Sequence, residues 1–244
     1  MLKIKRKLFI LPVEQVYFQE SKCDNRYEPK LINYIHVVKP SRKLQGKKTL
    51  HINLSEEERT PINRMSEQLK ILLDKVKEEK WDISRSTHPT DQEIEEFQQF
   101  YNLNAKQNDI RKMNNFDVET LKLLRDQGGL VLTKLENEQK RPICFRIYVV
   151  GQNMVMALYN DGQDPQCNTK SENANHLLCW ENMKYFGEQG YLIYDFGDAT
   201  HLRELQEKFG GKVVTVFSGC ITKSLFSQFL LHLNLKGMKK RLSF

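Results

Sequence analysis

The stretch LVLTKLENEQKRPICFRIYVVGQNMVMALYN, residues 130–160, decides the fold. It holds three apolar runs rich in β-branched and aromatic residues, at 130–136, 141–150 and 153–160, with no helical segment between them. The connectors, Asn137–Lys140 and Gly151–Gln152, are short and polar. Such spacing predicts hairpin turns, the second of the glycine-first kind, and therefore three strands of an antiparallel meander.

Working upstream, NFDVETLKLLRDQGG (115–129) reads as a helix stopped by Gly128 and Gly129, which suit a left-handed C-cap. Before it, Thr90 and Glu93 have capping-box spacing at the head of a helix with Ile94, Phe97 and Tyr101 on one face. WDISRST (81–87) is a short strand. The segment 55–80 opens with Ser55 and Glu58, again at capping-box spacing, and places Ile62, Met65, Leu69, Leu72, Leu73 and Val76 at helical period. The first 54 residues are strand-like: 8–18 as one strand, then 33–38 and 49–54.

Downstream, Thr169 and Glu172 give a third capping-box spacing, with Ala174, Leu177, Leu178, Trp180, Met183 and Phe186 on the buried side of a helix that ends at Gly190. A strand (191–196), a short helix (200–210), a strand (212–218) and a terminal amphipathic helix (224–235) follow. Hairpins first and helical crossovers afterwards predict an α+β chain with one central mixed sheet flanked by helices. The divisions expected are a basic β-rich N-terminal segment (1–54), an amphipathic helix (55–80), the main domain (81–235) and a basic tail (236–244).

The 244 residues suffice for a sizeable core, and no apolar run approaches the roughly 20 residues a bilayer helix needs. The basic, then apolar start reads as the lead-in to a first strand, so a cytoplasmic protein without a membrane span is expected. Five scattered cysteines, with no metal-ligand spacing, read as reduced thiols, and no metal is expected. The net charge of +7 is concentrated: residues 1–48 carry twelve Lys and Arg against four Asp and Glu. A basic segment of this kind can meet an anionic partner, RNA included, or serve only as solvated surface. No Ser-His-Asp signature and no P-loop occurs.

The element order from residue 81 resembles that of the GNAT acyltransferase superfamily. NANHLLCWENMKYFGEQGYLIYDFGD (173–198) and EKFGG (207–211) are similar to segments of its FemAB-like branch, the Fem-type peptidyltransferases and related acyltransferases. KTLHINLSEEE (48–58) resembles the strand and acidic turn upstream in that branch. The chain departs from the pattern at Asp198, where a glycine is usual, and in the interval before Phe209. It also carries one set of elements where Fem-type enzymes carry two domains, and it lacks the GNAT phosphate loop.

What the resemblance implies is N-acyl transfer from acetyl-CoA or another acyl-CoA to an amine, within one ternary complex. The donor would lie where the strands 153–160 and 191–196 splay apart, along Leu158, Tyr159 and Asn160. Its phosphates would meet the start of the following helix at Thr169, Lys170, Ser171 and Asn173, a position that suits anions on general grounds. Asp195, at the end of the second strand, would take the proton of the attacking amine; as a bare residue it reads equally well as a cap for the turn after it. The acceptor would be a small-molecule or peptide amine. Two further readings stand beside this one: an aminoacyl-tRNA-dependent Fem-like peptidyltransferase using the basic N-terminal segment, and a non-catalytic interaction module on the same fold.

Overall fold

A computed structural model describes residues 1–8, 11–19, 31–39, 43–55, 65–76, 79–107, 110–159, 168–197 and 202–222. In chain order the elements are β1 (Leu2–Leu8), β2 (Leu11–Tyr17), β3 (Leu31–Val37), β4 (Gln45–Asn53), α1 (Glu67–Val76), β5 (Asp82–Ser86), α2 (Asp91–Gln107) and α3 (Asn115–Asp126). There follow β6 (Leu130–Glu136), β7 (Pro142–Val150), β8 (Met154–Leu158), α4 (Asn168–Glu188), β9 (Ile193–Asp195), α5 (Leu202–Phe209) and β10 (Lys212–Thr222). This is the mixed α+β architecture that the residue pattern predicts. The chain forms two compact units: Thr49–Val213, and Met1–Lys48 together with the described chain from Val214 onward. Within β4 and again within β10, the backbone passes from one unit to the other.

In the larger unit the strands run in the order β4-β9-β8-β7-β6-β5. The meander β5 to β8 is antiparallel throughout. Asn137 closes the β6–β7 turn, its N–H donating to Arg141 O at 3.0 Å and its side-chain oxygen accepting from the N–H groups of Gln139 and Arg141. The β7–β8 turn differs from the glycine-first expectation. Gly151 N–H donates to Met154 O at 2.8 Å, so Gly151 flanks a two-residue loop of Gln152 and Asn153, and its φ is not positive. The crossover through α4 returns β9 parallel to β8. The other side of β9 belongs to β4, antiparallel, so the later crossover through α5 does not add a parallel neighbour there.

Helix ends follow local chemistry. The capping box is formed at Thr90, whose N–H donates to Glu93 Oε2 at 2.7 Å while Glu93 N–H donates to Thr90 Oγ1. Gly128, at φ 66°, and Gly129 return N–H groups to Arg125 O and Leu124 O and end α3. Of the two other expected caps, the Ser55–Glu58 box falls outside the described residues, and the Thr169–Glu172 box is not what the structure uses. α1 begins at Glu67 and is capped by Ser66 Oγ, which accepts from Leu69 N–H; Glu58 lies outside the described residues. α4 begins at Asn168, so Thr169 is already helical, and Glu172 pairs with Lys208 at 3.2 Å instead of closing a box.

Alternation along the strands sends side chains to two covered faces. On one, Leu50, Ile52, Leu54, Val131, Leu135, Val155, Ala157 and Tyr194 pack with Leu178, Trp180, Met183 and Phe186 of α4 and with α1. On the other, Phe145 meets Phe97 and Phe100 of α2, with ring centroids 5.9 and 5.0 Å apart. The residues expected on the buried sides of α2 and α4 are buried, including Ile94, Phe97, Tyr101 and Trp180.

The smaller unit has the strand order β1-β2-β3-β10, antiparallel, parallel and antiparallel. Residues 8–18 do not make one strand: the chain turns after Leu8, and β1 and β2 pair as a hairpin from Leu2↔Tyr17 to Leu8↔Leu11. The expected helix 224–235 and the basic tail lie outside the described residues. Among the described residues no helix is long and apolar enough to cross a membrane.

Candidate functional site

Strands β8 and β9 pair over three positions only, Met154↔Ile193, Val155↔Tyr194 and Met156↔Asp195. β8 continues to Leu158, whereas the chain after Asp195 turns to β4, where Phe196 N–H donates to Leu50 O at 3.0 Å. The two parallel strands therefore part at Asp195. Beyond Met156, β8 has no ladder partner on that side among the described residues, and an extended ligand can pair at such an edge.

Asp195 is fully buried. Its Oδ1 accepts Gly197 N–H at 2.8 Å, and Gly197 reaches that place through a left-handed φ of 66°. The carboxylate thereby folds its own backbone two residues on, as aspartate does in an Asx turn. The Thr49 hydroxyl touches the same Oδ1 and lies 2.9 Å from Gly197 O, so its single proton serves two acceptors. The remaining oxygen, Oδ2, stands 3.4 Å from His51 Nε2. His51 and Asp195 are direct partners in the β4–β9 register, which puts their side chains on one face. His51 Nε2 is buried with no hydrogen bond of its own, while the imidazole as a whole keeps 14% of its surface exposed.

The FGG element meets this site from behind. Gly211 has φ 93°, and a Cβ there would press on Ile52 and come within 2.7 Å of His51 O. Only glycine lets the chain pass β4 so closely at this backbone conformation.

Among the other expected site residues, Leu158 is buried at the end of β8. Tyr159 leaves the strand with φ 52° and lays its ring against Tyr101 and Phe97, at centroid distances of 5.2 and 6.1 Å. Asn160 lies outside the described residues. Thr169, Lys170 and Ser171 form the first turn of α4, with side chains outside the described part, and Asn173 follows them, half-buried. Sequence reasoning missed Thr49 and His51, which reach Asp195 from about 145 residues upstream.

A buried polar network fastens α4 to the sheet beside the site. Asn182 Nδ2 lies 2.9 Å from both Thr133 Oγ1 and Tyr148 OH, and its Oδ1 accepts from Arg85 Nε at 3.1 Å. Tyr148 OH meets Tyr194 OH at 3.0 Å, and Tyr194 OH meets Cys179 Sγ at 3.4 Å. Burial pushes the Cys144 thiol up to about 12 and raises Cys179 in the same direction. Neither is a thiolate at neutral pH, so neither is an activated nucleophile. His176 lies between α4 and α5, its Nε2 3.2 Å from Lys208 Nζ. Burial first, then the Lys208 charge, pushes its pKa down to about 4. Lys208 is held by Glu204 at 2.7 Å and by Glu172 at 3.2 Å.

No family model and no curated protein matches the sequence. Solved structures do match in three dimensions. FemX is similar with a TM-score of 0.59 at 11% identity, over 95% of this chain and 85% of its own. L-PGS from Bacillus licheniformis is similar at 0.55 and 12%, over 96% and 85%. A C-terminal DUF2156 domain from Agrobacterium fabrum gives 0.53 and 12%, over 82% and 70%. By this likeness the chain shares the fold of FemX and L-PGS, the parallel β8–α4–β9 crossover and the divergence at Asp195 included in it.

Proposed function

We propose that the protein transfers an acyl group from acetyl-CoA or another acyl-CoA to an amine, by direct attack in a ternary complex. The observation that carries this reading is the parting of β8 and β9 at Asp195, with the His51–Asp195 pair standing at the divergence. The donor lies along the end of β8 at Leu158 and the two positions after it, Tyr159 and Asn160. Its phosphates face the start of α4 at Thr169, Lys170, Ser171 and Asn173, where the positive end of the helix favours anions.

The chemistry then falls to His51. The Asp195 carboxylate, its Oδ2 3.4 Å from Nε2, favours the tautomer that carries its proton on Nε2 and leaves Nδ1 as the basic nitrogen. The amine nitrogen attacks the thioester carbonyl, the C–S bond breaks, and the leaving thiolate departs as CoA. The proton lost by the amine goes to His51 Nδ1. Asp195, being buried and doubly engaged on Oδ1, is the positioning residue, and His51 is the catalytic one. The acceptor is a small-molecule or peptide amine.

Calorimetric titration with CoA and acetyl-CoA tests the reading. Saturable binding, weakened by Asn173→Asp, which adds a negative charge at the head of α4, is the expected result. No heat with either ligand at millimolar concentration overturns it.

A further inference from the structure

The smaller unit buries a set of polar groups on one sheet face that an ordinary core does not explain. Gln15 in β2 is fully buried, and neither its Oε1 nor its Nε2 has a hydrogen-bond partner. Two residues on, and therefore on the same face, Tyr17 is also fully buried and its hydroxyl has no partner. The register aligns further polar residues with these two. Gln15 stands beside Asn33 of β3, and Asn33 beside Cys220 of β10, whose Sγ donates to Asn33 Oδ1 at 3.4 Å. Arg6 of β1 pairs with Val13, so its guanidinium falls on this face as well; it is 8% exposed and close enough to act electrostatically on the Tyr17 hydroxyl.

A buried amide with all its hydrogen-bonding capacity unused, beside an unused phenol, destabilises a fold that gains nothing from them. Leucine and phenylalanine would fill the same positions at no such cost. The groups are instead complementary to a guest. The Gln15 NH2 and the Tyr17 hydroxyl, with the Arg6 charge near them, are donors suited to an oxyanion, while the Gln15 carbonyl requires a donor from the same guest.

We propose that this face of the smaller unit is a binding site for a small oxyanion that also carries an O–H or N–H donor, such as a hydroxy acid, an amino acid or a protonated phosphate. Gln15 and Tyr17 are its recognition residues, and Arg6 supplies the countercharge. The residues named lie on β1, β2, β3 and β10, so the proposal stands whether or not the chain transfers acyl groups.

The test is thermal denaturation and calorimetry on the full chain with four probes: lactate, glycine, inorganic phosphate and acetate. Lactate, glycine or phosphate should raise the melting temperature saturably, and acetate, which lacks a donor at neutral pH, should act more weakly. A response to phosphate alone assigns a phosphate ligand, and a response to lactate or glycine assigns a carboxylate. Tyr17→Phe removes one oxygen atom and keeps the packing; Gln15→Leu removes the amide. Each should weaken the probe about tenfold or more, as loss of a hydrogen bond to a charged group does. Without probe, both variants should melt at or above the wild-type temperature. Absence of a response in the wild type overturns the proposal, as does a response that survives in both variants or an ordered water alone bridging Gln15 and Tyr17 in a crystal structure.

Discussion

His51 Nε2 stands 3.4 Å from Asp195 Oδ2, and the two residues face each other directly across β4 and β9. Their pairing gives the first prediction. His51→Gln should lower kcat by about 10²–10⁴, the range for loss of a positioned base. Asp195→Asn should do nearly the same for another reason: its amide would present a donor to Nε2 and turn the imidazole to the wrong tautomer. Thr49→Val should leave the dyad in place and cost less than either. Steady-state rates alongside circular dichroism separate the chemistry from folding, and full activity in His51→Gln would remove the dyad from the mechanism.

Gly211→Ala should destabilise the fold by at least about 2 kcal/mol, since the substitution combines a left-handed φ with a clash against the β4 backbone at His51. Urea denaturation reads this as a lower midpoint at unchanged slope. Gly128→Ala is the control, because it has a positive φ but nothing within 4 Å of an added Cβ; it should cost less.

Stability should fall on acidification from about pH 6.5 to about pH 4, and His176 is the group responsible. Its folded pKa is depressed to about 4, against an ordinary 6.5. The unfolded chain therefore binds the proton first, and unfolding gains over this window by up to about 3 kcal/mol. The groups facing the ring are Lys208 and Glu204 from α5, Glu172 from its own helix and Arg146 from β7. His176→Phe should flatten this part of the stability–pH curve. A curve unchanged by the substitution would assign the acid sensitivity elsewhere.

Asn182→Leu should cost about 2–3 kcal/mol, because it removes one acceptor of Arg85 and leaves the Tyr148 and Thr133 hydroxyls short of a partner in a buried setting. A double-mutant cycle with Tyr148→Phe should show coupling, the two residues sharing one network.

What the sequence discloses here is chiefly local. The Thr90–Glu93 box and the Gly128–Gly129 stop depend on residues three apart or adjacent, and the meander on turns of a few residues, so residue order alone reveals them. The split of 8–18 into the end of β1 and the whole of β2 was hidden because the apolar run continues through the corner. Asp195 is legible as an acidic strand end before a glycine, but Thr49 and His51 are not: an alternating strand gives no sign of which distant strand lies beside it. The orphaned Gln15 and Tyr17 were equally invisible, because burial and the lack of partners are properties of the assembled sheet.

The passage of the backbone between the two units inside β4 and β10 dictates a timetable for the nascent chain. β3 leaves the ribosome early, yet its neighbour β10 consists of residues 212–222, so Val37 waits for Phe217. The larger unit is complete once Val213 has emerged. The second unit met along the polypeptide is thus the first able to fold, and β3 gains its neighbour only once β10 has been made.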